Sequence, residues 1–157
     1  MARAVDAVLF DLDGTLVDSL DLIAQAMSRV LVEHGYDTDV ERLKPLIGPP
    51  MEVVARQLGA SADAPALGEE YLRLYHDQYV RQTPERAGAT ALIERLVASG
   101  VALGIVTNKV EASAHELLRI EGWTAHFGAV VGRDTPGASA KPAPEPHSAS
   151  SPGLPFP

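Results

Sequence analysis

Asp11 and Asp13 stand two residues apart in Val8-Leu9-Phe10-Asp11-Leu12-Asp13-Gly14-Thr15-Leu16, directly after an apolar run. Val5, Ala7, Val8, Leu9 and Phe10 are enough for a buried strand and too few for a free-standing helix. Side chains alternate along a strand, so the two carboxylates point the same way. Gly14 lets the backbone turn behind them, and Thr15 adds a hydroxyl. Two acids at the end of a strand repel each other and lose hydration, which a divalent cation or a shared proton would relieve. A calcium loop of the EF-hand kind does not fit. It needs a third acidic or amide ligand at its fifth position and glycine at its sixth, whereas here Thr15 is fifth and Gly14 fourth. The chemistry-free alternative is a polar cap on a strand.

Other groups acquire meaning only from their place in the chain. Thr107 follows the apolar run Val101-Ala102-Leu103-Gly104-Ile105-Val106. Ligands of open parallel sheets bind beyond the carboxyl ends of the strands, so its hydroxyl belongs on the same rim as Asp11. Taken alone, a threonine there is usually a helix cap. Lys109 reads as a solvated loop charge, and Lys141, set among prolines, reads alone as another. The five histidines show no metal-ligand spacing. Tyr71, Tyr75 and Tyr79 recur every four residues and read as a packing stripe.

The elements that must position these groups come in two grammars. Residues 18–84 have helical period throughout. Leu20, Ile23, Ala24, Met27, Val30 and Leu31 share one face, with Asp18 or Ser19 as cap and Gly35 as stop. Met51, Val54, Ala55 and Leu58 mark a second helix after Pro49-Pro50, ended by Gly59. Residues 60–65 read as a loop, and Leu67, Tyr71, Leu74 and Tyr75 mark a third helix running to about residue 82. The grammar then changes. A helix over residues 89–99 with Leu92, Ile93, Leu96 and Val97 inside leads to the 101–106 strand, a helix over 111–121 and a short strand over 127–132. Strand, helix, strand at this spacing predicts a parallel βαβ unit. Seven of the twelve prolines lie in residues 136–157, and residues 147–157 read as disordered.

Composition narrows the partners. A net charge of −8 and a pI near 5.0 argue against nucleic acid or an anionic membrane. With no cysteine there is no disulfide framework, no thiolate nucleophile and no cysteine-based zinc site. Asp6 comes too early for a secretory signal. No apolar run approaches the ~20 residues that span a bilayer. The expectation is a cytoplasmic chain; its oligomeric state is not legible.

The stretch Asp11-Leu12-Asp13-Gly14-Thr15-Leu16-Val17-Asp18-Ser19 resembles the first motif of the haloacid dehalogenase superfamily of phosphohydrolases, and the nearest subgroup is the phosphoglycolate phosphatases. Val106-Thr107-Asn108-Lys109 resembles the second motif. Gly132-Arg133-Asp134-Thr135, with the later Lys141-Pro142-Ala143-Pro144-Glu145-Pro146, resembles the third-motif region. The resemblance covers residues 4–146 and implies an α/β fold. It would be a Rossmann-like parallel-sheet core from residues 1–17 and 85–146, interrupted by an all-helical cap at 18–84. The implied activity is Mg²⁺-dependent phosphomonoester hydrolysis through an aspartyl-phosphate, on a small phosphorylated metabolite such as 2-phosphoglycolate. Asp11 would be the nucleophile and Asp13 the proton donor and base, with the Asp11 side chain and Asp13 carbonyl on the magnesium. Thr107, Asn108 and Lys141 would hold the phosphoryl group, and the helical insert would act as a lid.

One departure is plain. The family has a further helix, a strand and an acidic G-D-x-x-x-D motif after the third. Residues 147–157 contain no Asp or Glu and no strand period. The expectation is therefore a truncated or frameshifted product, lacking the C-terminal strands and impaired in activity, with its first strand left on an edge of the sheet. Two other readings stay open: an inactive fragment that at most binds phosphate or a partner, and a sugar-phosphate mutase that uses Asp11 in the same way.

Overall fold

The computed structural model describes residues 5–141. They form two compact units. The disordered tail expected at 147–157, and residues 142–146 of the expected core, lie outside the described residues.

The first unit is built from the described parts of Met1–Asp18 and Pro84–Pro157. Its sheet is β1 (Ala7–Phe10), β2 (Ala102–Val106) and β3 (Ala129–Val131), all parallel, in the order β1-β2-β3. Phe10 pairs with Ile105, and Val106 with Val131. β2 is the middle strand and four of its five residues are buried. This is why it reads as an unbroken apolar run rather than an alternating one. β1 lies at one side of the described sheet, beside β2, and Leu9 on it is exposed.

The helices of this unit are α5 (Ala89–Ala98) and α6 (Glu111–Ile120), the latter joining β2 to β3. α6 buries Ala114, Leu117 and Leu118, as its period predicts. α5 differs from expectation. Of Leu92, Ile93, Leu96 and Val97 only Ile93 is buried, while Leu92 and Val97 are exposed. α5 packs on β2 and on the turn Thr124–His126, and that contact covers only a strip around Ala89 and Ile93. Trp123 is buried and donates its indole N–H to Thr90 Oγ1 at 2.9 Å, which ties that turn to the start of α5.

The second unit, Ser19–Thr83, is helical. It contains α1 (Leu20–Glu33), α2 (Val40–Leu43), α3 (Met51–Gln57) and α4 (Ala64–Leu74). α4 runs on through a wider turn at Tyr75–Tyr79 and a tighter one at Val80–Gln82. α1 buries Ile23, Ala24, Ala26, Met27, Val30 and Leu31, whereas Leu20, expected inside, is exposed at its first turn. The expected loop at 60–65 is shorter, because Ala64 and Pro65 already belong to α4. Proline suits a first helical turn, where its missing N–H has no partner to lose. The tyrosine stripe packs as read: ring centroids are 5.9 Å apart for Tyr71 and Tyr75, and 6.4 Å for Tyr75 and Tyr79.

Where the chain leaves the first unit and where it returns, it forms a short antiparallel pairing. Val17 bridges to Glu85, the Asp18 N–H donates to the Pro84 carbonyl at 2.9 Å, and the Arg86 N–H donates to the Leu16 carbonyl at 2.8 Å.

Candidate active site

β1 and β2 are parallel, so their carboxyl ends open on one rim, and Asp11 and Thr107 each follow the last residue of their strand. Behind Asp11 the chain turns tightly. The Leu12 carbonyl accepts the N–H groups of Thr15, Leu16 and Val17, at 3.0–3.2 Å, and Leu12 itself is wholly buried. Gly14 takes φ +74°, a left-handed conformation that a side chain would strain, and its N–H reaches the Val17 carbonyl at 2.8 Å. Arg86, whose importance the sequence does not signal, donates its guanidinium to the Gly14 carbonyl at 2.8 Å. The carboxylate pair thus sits on a loop braced from inside and outside.

Each carboxylate faces a lysine. Lys141 Nζ is 2.8 Å from Asp11 Oδ1, and it also donates to the Val106 carbonyl at 3.0 Å. Asp11 Oδ1 accepts the Leu12 N–H as well, at 2.8 Å. The side chain of Asp11 is 43% exposed, so the acid stays accessible from the rim. Lys109 Nζ is 3.2 Å from Asp13 Oδ1, and this pair is far more enclosed, with side-chain exposures of 6% and 18%. Lys109 is therefore not the solvated loop charge that its sequence suggests.

Thr107 is buried, and its hydroxyl accepts the Lys109 N–H at 3.1 Å. Asn108 grips the backbone of Lys141 at two points. Its Oδ1 accepts the Lys141 N–H at 2.7 Å, and its Nδ2 donates to the Lys141 carbonyl at 3.4 Å. In the structure the Asn108 amide thus positions Lys141. The structure thus brings together Asp11, Asp13, Thr107, Asn108 and Lys141, and adds Lys109.

A second layer holds the loop after β2. The Arg133 N–H donates to the Lys109 carbonyl at 3.1 Å, and Asp134 Oδ1 accepts the Glu111 N–H at the start of α6 at 2.7 Å. Thr135 Oγ1 accepts the Gly132 N–H at 2.9 Å and hydrogen-bonds to the Glu111 carboxylate. Gly132 lies where any side chain would collide. An added Cβ would meet Glu111 N at 2.5 Å and the Lys109 carbonyl oxygen at 2.9 Å.

The donor set suits magnesium in kind. Asp11 and Asp13 offer hard oxygens, and Mg²⁺ commonly takes one or two carboxylates and keeps several waters. Among the described residues no group of three or more His, Cys, Asp or Glu could hold a metal. No helix among the described residues is long and apolar enough to cross a membrane.

Residues 8–150 match the sequence profile described as haloacid dehalogenase-like hydrolase. A phosphoglycolate phosphatase of Xanthomonas campestris pv. campestris is 34% identical over 144 residues, covering 89% of this chain. The match takes in 65% of that relative, so this chain spans less than two thirds of its length. A haloacid dehalogenase-like family hydrolase from Streptococcus pneumoniae superposes with a TM-score of 0.81 at 26% identity, covering 93% of this chain and 69% of its own. Protein Tyrosine Kinase A of Mycobacterium tuberculosis superposes with a TM-score of 0.77 at 30% identity, covering 87% of this chain and 64% of its own. With the profile spanning nearly all the described residues, this chain belongs to the haloacid dehalogenase-like hydrolase family.

Proposed function

We propose that the chain carries the chemistry of a phosphomonoester hydrolase that works through an aspartyl-phosphate, with a small phosphorylated metabolite as substrate. A shared fold does not fix activity, and one structural neighbour is named as a kinase, so the reading rests on the site. The observation that carries it is the Asp11 carboxylate, accessible at the end of β1, with the clamped Lys141 ammonium 2.8 Å away.

An ionised carboxylate is a modest nucleophile but can form a covalent intermediate that divides a difficult hydrolysis into two steps. Asp11 attacks phosphorus, and the ester oxygen leaves with a proton from Asp13. Asp13, now ionised, takes a proton from water as the water attacks the acyl phosphate, which frees inorganic phosphate and restores Asp11. Lys141 balances charge on the nucleophile and on the phosphoryl oxygens, and the Thr107 hydroxyl positions them. Asn108 keeps Lys141 in place. Asp11 and the Asp13 carbonyl would hold Mg²⁺, whose bound charge adds electrostatic stabilisation of the phosphoryl oxygens. The names of the relatives bring 2-phosphoglycolate forward as the substrate.

The test is hydrolysis of p-nitrophenyl phosphate and 2-phosphoglycolate by the parent and by Asp11→Asn, with acid-quenched phosphoprotein measured in parallel. The parent is expected to turn over and to trap phosphate, and Asp11→Asn to do neither. Equal turnover in both removes the proposed nucleophile. A trapped sugar bisphosphate would instead indicate a mutase, and neither turnover nor phosphoprotein in the parent would indicate an inactive chain.

A further inference from the structure

Lys109 belongs to none of the roles assigned above, yet it is the most enclosed charge at the site. Its side chain is 6% exposed, against 25% for Lys141. Enclosing an ammonium is costly. Hydration is lost, and a long lysine side chain gives up its rotamer freedom. That cost must be offset by what the ammonium meets, and it meets Asp13 Oδ1 at 3.2 Å. The backbone beneath it is fixed on both sides. The Lys109 N–H is held by Thr107 Oγ1 at 3.1 Å and its carbonyl by the Arg133 N–H at 3.1 Å. Gly132 packs against that same carbonyl so closely that no Cβ fits. A long, flexible side chain on so rigid a base becomes a fixed arm.

Both carboxylates are held by a lysine, and they differ in enclosure. Asp11, bound by Lys141 and the Leu12 N–H, stays 43% exposed, as an attacking group must be. Asp13 is 18% exposed and enclosed with its lysine, and a proton-transferring group loses most from free rotation, since a donor must lie within hydrogen-bond reach of the leaving oxygen. We propose that Lys109 is the positioning residue for Asp13, holding its carboxylate in the one orientation from which it reaches the leaving group. The proposal rests on the phosphatase reading for its kinetic consequence but not for its geometry.

The experiment compares Lys109→Met, Lys109→Arg and Asp13→Asn in the 157-residue chain, on p-nitrophenyl phosphate and on an alkyl phosphate. p-Nitrophenolate leaves without a proton; an alkoxide does not. In a single turnover Lys109→Met should slow alcohol release from the alkyl ester on the order of 10²-fold, with little change in the burst of p-nitrophenolate from the aryl ester; steady-state turnover falls on both, because Asp13 also serves the water attack they share. Asp13→Asn should show the same split, and Lys109→Arg, which keeps the charge, should recover part of the loss. An equal loss of first-turnover release on both esters, or a rise in KM alone, overturns the proposal. If Lys109→Met does not fold by thermal melt, the comparison stands on Lys109→Arg, which must then show the milder form of the same split. If the parent hydrolyses neither ester, the phosphatase reading fails and the positioning role is judged by crystallography. An Asp13 carboxylate displaced in Lys109→Met upholds it, and an unmoved one overturns it.

Discussion

Burial first, and then the charge of Glu85, hold the Glu121 carboxyl above its ordinary range. Glu121 also follows the last turn of α6, where the carbonyl ends of the helix disfavour a negative charge. The folded chain therefore binds this proton more tightly than the unfolded chain. Its contribution favours folding at low pH and is lost as pH rises from the ordinary value, 4.5, through the raised one. Glu121→Gln should accordingly raise stability at pH 7 by about 0.5 kcal/mol and make no difference at pH 3. Melting curves at the two pH values check this, and identical melting at pH 7 would contradict it. At this scale the sequence is readable where a residue type is unusual for its setting. Acids ending an apolar run announce themselves, as Asp11 and Asp13 do. Lys109 does not, because a lysine in a loop is ordinarily solvated and only the fold encloses it. Arg86 is silent for a similar reason: its partner is a backbone carbonyl 72 residues away in sequence.

Elements were readable by period, and their coverage was not. The apolar runs of β1, β2 and β3 and the stripe of α6 match the structure because each is bounded by turn residues or a helix stop. Period also found the stripe of α5, but nothing local says how much of that stripe a neighbour covers, and Leu92 and Val97 remain exposed. Pro65 signals a loop by its type, yet it lies in the first turn of α4. The junction between β3 and α6 is the tightest of these contacts. Gly132→Ala would drive a methyl into the Glu111 and Lys109 backbone, where no flexible side chain can yield. The expected cost is about 2 kcal/mol, as for other overpacking changes, together with loss of activity, because the same shift moves Lys109. A thermal melt and a p-nitrophenyl phosphate assay on one preparation measure both. A variant that melts like the parent would mean the junction has room to relax.

For the molecule as a whole, the side of β1 away from β2 matters most. Among the described residues β1 has a hydrogen-bonded neighbour on one side only, and Val5 and Leu9 are 50% and 40% exposed. An apolar strand with open N–H and C=O groups recruits other chains unless charge or proline guards it, and β1 carries no charge between Asp6 and Asp11 at its two ends. Purified chain should therefore elute from size exclusion as concentration-dependent oligomers. Leu9→Lys, which puts a charge on the exposed position, should shift it toward monomer. A parent that stays monomeric at every concentration would show the strand to be guarded in another way.

The pairing of Val17 with Glu85 makes residues 19–83 a closed loop as far as the sheet is concerned. Closing a loop costs entropy only as the logarithm of its length, about 0.6 kcal/mol per doubling. Residues 19–83 could be exchanged for a shorter or longer segment at little expense to the strands that carry Asp11, Asp13 and Thr107. The position is a natural splice point. A lineage could replace the whole helical module there and keep its reaction, and a protein engineer could do the same by cutting at Asp18 and Pro84, whose backbones are already joined by one hydrogen bond.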